Sequence, residues 1–290
     1  MLKEYATILL EEIDSVLILK LNRPEKLNAF NMQMLDDMLD AIDYANTNDN
    51  IKSLVITGSG RAFCAGADLS FGEKTFDKSF DTNEKYDSEF MRDAGGILNL
   101  KIYNSLKPVI AACNGDAVGI GATMQLPADI RIASKNSRFG FVFAKRGIVP
   151  DGCSSWFLPK IIGIPMALEL CYSGKIIDSK EAQRIGLVNY LVEEDELIAK
   201  AIEISNMLCD STAPISVAMT RHMLWSLSAE DNPENAHIIE SNLINSRGAS
   251  DDAKEGVMSF LEKRGANFKN KISSDLPNDF PWRKSQFKDN

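Results

Sequence analysis

Apolar positions along the chain follow two rhythms, and each rhythm predicts elements. Residues 6–10 and 15–21 are short apolar runs on either side of the polar stretch 11–14, which predicts two strands joined as a hairpin. Residues 22–26, Asn-Arg-Pro-Glu-Lys, read as a turn. From 32 to 44 the rhythm changes: Met34, Leu35, Met38, Leu39 and Ile42 recur at helical spacing, so an amphipathic helix follows. Buried strands are predicted at 53–57, 109–112 and 130–133, with a helix over 89–105 between the first two. Residues 70–90 mix Ser, Asp, Lys and Phe without a period and read as a mobile insertion or lid. Beyond 196 the pattern is helical, over 196–209, 214–227, 235–247 and 251–264, with Pro214 in the first turn of the second helix. The tail from 275 to 290 carries two prolines and many charges and is expected to be loose or draped on a neighbour. Alternating strands and helices predict an α/β fold with a mostly parallel sheet.

The 290 residues suffice for one large α/β core with an appendage. A hydrophobic share of 44% and a charged share of 25% are those of a soluble globular protein. The net charge of −9 argues against general binding of nucleic acid or anionic membrane, although it leaves room for a local basic pocket. No run approaches the ~20 apolar residues of a membrane span, and the start lacks the pattern of a signal peptide. Five scattered cysteines without a Cys-x-x-Cys pair fit a reducing cytoplasm and no structural zinc. His222 and His237 lack metal-ligand spacing and read as structural or surface residues. Gly119-Ile120-Gly121 lacks the third glycine of a dinucleotide fingerprint.

Two small-residue turns carry the candidate chemistry. Ala65-Gly66-Ala67 follows the strand at 53–57, and Val118-Gly119-Ile120-Gly121-Ala122 follows the strand at 109–112. Without bulky side chains, such turns can present backbone N–H groups to one oxygen, as an oxyanion hole requires. A helix starting near Gly119 would point its positive end at the same place.

At these residues the chain resembles the crotonase family, the enoyl-CoA hydratases and isomerases. The resemblance rests on Arg61-Ala-Phe-Cys-Ala-Gly-Ala-Asp-Leu69 and Asn114-Gly-Asp-Ala-Val-Gly-Ile-Gly-Ala122. Pro127-Ala-Asp-Ile-Arg-Ile-Ala133, Arg138-Phe-Gly140 and residues 255–264 add to it. It spans residues 5–268 and implies a crotonase-like spiral of ββα units. Its core would occupy 1–200, with a helical trimerisation region that covers the ligand at 201–268 and an extended tail at 269–290. A homotrimer or a dimer of trimers is implied, acting on an acyl-CoA thioester with no cofactor beyond the coenzyme A of the substrate. The oxyanion donors would be the N–H groups of Ala67 and Ile120. Ala65, Asp68 and Leu69 fall in the substrate-binding loop, where Asp68 reads chiefly as a cap. Arg23 and Lys26 would reach the coenzyme phosphates, and Phe260 and Lys263 would help complete the pocket, sometimes from the next subunit.

The family's hydratases hold one water between two glutamates, and this chain has Thr123 and Phe143 at those positions. Neither side chain is a general base near neutral pH. Asp151 remains, in Pro150-Asp151-Gly152-Cys153-Ser154-Ser155, which is similar to the Pro-Glu-Gly-Cys-Ser-Ser run of the 3-enoyl to 2-enoyl isomerases. On its own Asp151 reads as a turn or cap aspartate; the resemblance makes it the acid/base. Phe141, Phe143 and Trp156 are candidates for an apolar wall that raises its pKa. Three other functions stay open: a hydratase, a hydrolase or aryl-CoA dehalogenase with Asp151 as nucleophile, and a non-catalytic binder.

Overall fold

The computed structural model describes residues 2–77, 92–278 and 280–281. Its centre is a six-stranded sheet. Strands β1 (Ile8–Ile13) and β2 (Val16–Leu21) form the expected antiparallel hairpin, turning at Asp14, whose φ of 53° is the left-handed value that a tight hairpin needs. Helix α1 (Met32–Thr47) then crosses to β3 (Ser53–Gly58). Asn31 caps α1 by accepting from the Met34 N–H. Strand β3 runs parallel to β2 and leads without a helix into β4 (Ala62–Cys64).

Helix α2 (Ala94–Tyr103), capped by Asp93, is shorter than the 89–105 expected, and residues 89–91 lie outside the described residues. It is followed by β5 (Val109–Cys113), β6 (Asp116–Val118) and the single turn α3 (Ile120–Thr123). Strands β7 (Ile130–Ser134) and β8 (Arg138–Gly140) repeat the pairing, and α4 (Ser154–Ile162) and α5 (Ile164–Ser173) follow. Then come β9 (Ile176–Asp178), α6 (Ser179–Arg184), β10 (Tyr190–Val192) and α7 (Leu197–Cys209). Strands β2, β3, β5, β7 and β10 are parallel neighbours in the main sheet. A second sheet holds β4, β6, β8 and β9 in that order. Three successive strands of the main sheet thus each continue into a short strand of the second, which is the ββ unit repeated.

Strands β2, β3, β5 and β7 of the main sheet are buried on both faces, so they read as continuous apolar runs rather than alternating ones, whereas the edge strands β1 and β10 are partly exposed. Ile18, Val55, Ile110 and Ile132 pack on Leu197, Ala201 and Ile204 of α7. Leu19, Leu54, Ile56 and Ala111 face the larger core, with Met34, Leu35 and Met38 of α1.

The last third is helical, as expected: α8 (Pro214–Leu227), α9 (Pro233–Gly248), α10 (Asp251–Leu261) and the single turn α11 (Ile272–Asp275). The buried Arg221 holds α8 to the body. Its guanidinium donates to Asp129 at 2.9 Å and to the carbonyls of Ile102 at 3.0 Å and Tyr103 at 2.5 Å, at the end of α2. An extended tail from 269 is not what forms. Ile272 is buried, and Ser273 donates to Asp49 at 2.6 Å, which folds residues 272–275 back onto the chain's own α1 and α8. Residues 279 and 282–290 of the expected tail, and 78–90 of the expected lid, lie outside the described residues. The part of the lid that is described, Leu69–Lys74, is a 3-10 stretch broken at Gly72.

Candidate active site

Parallel pairing of β4 with β6 sets the two small-residue turns side by side. In the first, Phe30 N–H donates to the Gly66 carbonyl at 2.8 Å and Asp68 N–H donates to the Phe30 carbonyl at 2.8 Å. A trans peptide sends its N–H opposite to its carbonyl, so the Ala67 N–H faces away from Phe30. In the second, the Gly119 carbonyl accepts from Ala122 and Thr123, which turns the Ile120 N–H outward from the start of α3. Among the described residues neither N–H has an acceptor. Gly119, at φ 55° and ψ −124°, holds a conformation open to glycine. A Cβ on Gly121 would stand 2.0 Å from the Cys64 carbonyl oxygen, so a side chain there would drive the turns apart. The helix expected here is a single turn, too short for much of a dipole, so what this turn can offer an anion is the Ile120 N–H itself.

Asp151 comes to this place on the turn between residues 147 and 153. Gly152 and Cys153 both hold left-handed φ, 61° and 55°, and the strained Cys153 starts α4. The Asp151 carbonyl accepts from the Ser154 N–H at 2.9 Å and its hydroxyl at 2.6 Å. Asn99, buried on α2, donates to the carbonyls of Thr123 at 2.9 Å and Gly152 at 2.6 Å, fastening α3 to the Asp151 turn.

The carboxylate meets the residue that replaces a glutamate in the family pattern. Thr123 donates its hydroxyl to Asp151 Oδ1 at 2.8 Å. Burial pushes the Asp151 carboxyl up from 3.8 to about 6, Asp93 adds to the rise, and the Thr123 hydrogen bond opposes it. Asp93 caps α2 through the Gly96 N–H and accepts from the Gly152 N–H at 3.4 Å. Space for the cluster comes from Gly95, where a Cβ would lie 2.7 Å from Ile120 Cδ1 and 3.4 Å from Asp151 Oδ2. In the sequence Thr123 reads only as a missing base, and Asp93 and Asn99 belong to no motif. The available signal was Asp-Ala-Gly-Gly opening a helix, since two glycines in a first turn disfavour the helix unless space demands them.

The other candidates divide. Phe141 and Phe143 are core residues. Trp156 joins Tyr103, Phe157 and Trp225 in an aromatic cluster beneath α8, with Lys160 4.6 Å above its ring. It is part of the packing of α2, α4 and α8, and the atom nearest a Cβ placed on Gly95 is Ile120 Cδ1. Arg23 is not a free cation. Its guanidinium pairs with Asp68 at 2.7 Å and donates to the Ala29 carbonyl, because the turn of residues 24–26 must be clamped to the first donor loop. Asp68 caps the next turn through the Ser70 N–H at 3.0 Å, and the Arg23 hydrogen bond lowers its pKa. The Ala65 N–H is taken by the Leu27 carbonyl, while Lys26 and Leu69 are exposed. Lys263 is exposed at the end of α10, and Phe260 is 81% exposed rather than packed in its own chain. His222 is half-buried, with Nε2 3.3 Å from the Ser105 carbonyl and its pKa depressed by burial to about 4. No helix among the described residues is long and apolar enough to cross a membrane.

The model of the family described as "Enoyl-CoA hydratase/isomerase" matches residues 11–271. Enoyl-CoA hydratase AKT3-2 of Alternaria alternata is 38% identical over 258 residues, covering 89% of this chain and 84% of that protein. The 1,2-epoxyphenylacetyl-CoA isomerase of Escherichia coli strain K12 is 33% identical over 266 residues, covering 88% and 95%. The crystal structure of enoyl-CoA hydratase subunit I from Geobacillus kaustophilus HTA426 superposes with a TM-score of 0.82 at 28% identity, covering 93% of this chain and all of that one. With paired donor turns on a ββα frame and a family match over most of its length, the chain belongs to the enoyl-CoA hydratase/isomerase, or crotonase, family.

Proposed function

We propose that the protein shifts a carbon–carbon double bond in an acyl-CoA thioester, with Asp151 as its single acid and base. The reading is carried by the Thr123 hydroxyl 2.8 Å from Asp151 Oδ1: where a hydratase of the family has a carboxylate, this chain has a donor that serves one. Asp151 takes a proton from C2 of a 3-enoyl thioester. The electron pair moves to the thioester oxygen, which the N–H groups of Ala67 and Ile120 stabilise. The protonated Asp151 then returns the proton at C4, giving the 2-enoyl product without gain or loss of atoms. A carboxyl near 6 suits both halves, because it is largely ionised at neutral pH and a ready donor once protonated. The Escherichia coli relative is named for isomerising an epoxide of an acyl-CoA, which is a change at constant mass on the same kind of thioester but a different bond.

Hydration is the second reading, favoured by Asp93, whose carboxylate stands against the Gly152 N–H and acts on Asp151. The hydratase name of the Alternaria relative favours it too. Two carboxylates are what splitting a water requires. The oligomer we propose is a homotrimer or a dimer of trimers. The exposed Val257, Phe260 and Leu261 give α10 an apolar stripe suited to another copy of the chain.

The test supplies the purified protein with a 3-enoyl-CoA and, separately, a 2-enoyl-CoA, followed by absorbance and mass. Conversion of the first to the second at unchanged mass is the expected result. Addition of one water to the 2-enoyl substrate as the main reaction would replace this reading with hydration.

A further inference from the structure

A cavity lies at the end of the main sheet away from the two small-residue turns. Lys52 precedes β3 and Pro108 precedes β5, and both line it, whereas the donor turns follow the far ends of these parallel strands. A six-residue strand puts about 20 Å between the two places. The cavity has a volume of about 510 Å³, within the range of small-molecule sites.

Its charge is unlike that of the molecule. Lys52, Lys107, Lys269 and Lys271 line it against a single carboxylate, Asp49, in a chain of net charge −9. Asp49 is turned to α11, accepting from Ser273 Oγ at 2.6 Å and from its N–H at 3.2 Å. Lys52 has a loose pairing with Asp210 at 3.9 Å.

Lys107 is the deepest of the four, 1% exposed. Its ammonium carries three donors. Among the described residues it has one acceptor, the Asn48 carbonyl, and no carboxylate within 4.0 Å. Burial depresses its pKa to about 8 in spite of Asp49 nearby. An ammonium taken from water without a counter-charge is costly, and an anion entering the cavity would offset that cost. Pro214 brings the start of the 14-residue α8 to the same wall, and its cap residue Ala213 supplies no side-chain acceptor. Ile51, Leu106, Val217 and Phe268 give the cavity an apolar wall, beside the polar Asn50, Thr212 and Asn270.

We infer that this cavity binds a small phosphate ester, its phosphate on Lys107 and the lysine rim, its organic part against Phe268 and Val217. Calorimetric titration with phenyl phosphate at fixed ionic strength tests this. Saturable binding is expected, with inorganic phosphate at least tenfold weaker because it leaves the apolar wall uncovered. Lys107→Met is expected to weaken phenyl phosphate at least tenfold. A Lys269→Ala/Lys271→Ala double variant at the rim, which leaves the buried site intact, is expected to weaken it at least threefold and serves if the first variant does not fold. Absence of saturable binding, equal affinity for inorganic phosphate, or wild-type affinity in the folded variants would overturn the assignment.

Discussion

Asp151 sits between two neighbours that act on it in opposite senses. The Thr123 hydroxyl favours the carboxylate and Asp93 disfavours it. Thr123→Val should therefore move the Asp151-dependent acid limb of the rate profile to higher pH, and Asp93→Asn to lower pH. Asparagine still caps a helix, so the second change removes charge and keeps the cap. Movement in the same direction, or none, would contradict the arrangement. The same carboxyl bears on stability. Held near 6 in the fold against 3.8 in the unfolded chain, it binds its proton more tightly when folded. Its contribution is therefore fully present below about pH 4 and is lost as pH rises from about 4 to about 6. Asp151→Asn should be more stable than wild type at pH 7 by about 1–3 kcal/mol, with the difference gone near pH 4, as read by calorimetry. Equal stability at pH 7 would contradict the burial cost. At this scale Asp151 was legible from its motif. Its hydrogen bond was not, because Thr123 lies 28 positions away and meets it only after α3 and the 147–153 turn are in place.

Glycines set how closely the elements of the site approach. Gly121→Ala puts a Cβ 2.0 Å from a backbone oxygen of β4, which has no flexible end to yield. We expect a loss of about 3 kcal/mol or more in denaturant unfolding, and a loss under 1 kcal/mol would contradict the close approach. Gly95→Ala meets the end of the Ile120 side chain instead. On the proposed mechanism that variant should fold and lose activity in the enoyl-CoA assay, because it displaces Ile120 and Asp151; full activity would contradict their roles. The long strands and α1 were readable because each repeats its period several times. Strands β4, β6 and β8 have three residues each, too few for a period, and they form the second sheet on which the donor turns hang. That sheet entered the expectation only through the family resemblance.

For the whole molecule, Arg221 and α10 carry the consequences. Arg221 gathers Asp129 and the carbonyls at the end of α2, so Arg221→Met leaves those carbonyls without their donor, while the half-buried Asp129 keeps the Val109 N–H and the Trp225 Nε1–H. A cost of about 2–4 kcal/mol is expected in unfolding experiments, mainly from buried carbonyls left without a donor; a change within 0.5 kcal/mol would mean that the C-terminal helices are held by packing alone. On the proposed trimer, Phe260→Asp should give smaller species than wild type in light scattering, and an unchanged mass would remove α10 from the proposed contact. The helices of the last third were visible in the sequence. The return of residues 272–275 was not, because Ile272 is one apolar residue among charges and its pocket is built by distant elements. The acidity of the chain likewise conceals the lysine-lined cavity, since Lys52, Lys107, Lys269 and Lys271 come together only in the fold.

The central claim is that one carboxylate moves one proton, and a labelled substrate tests it most directly. A 3-enoyl-CoA carrying deuterium at C2 would be turned over in ordinary water, and the product analysed for mass and position of label. The account predicts a 2-enoyl product with deuterium recovered at C4, and turnover at least a thousandfold slower for Asp151→Asn. A product heavier by one water, or an Asn variant that still carries the label to C4 at the wild-type rate, would contradict it.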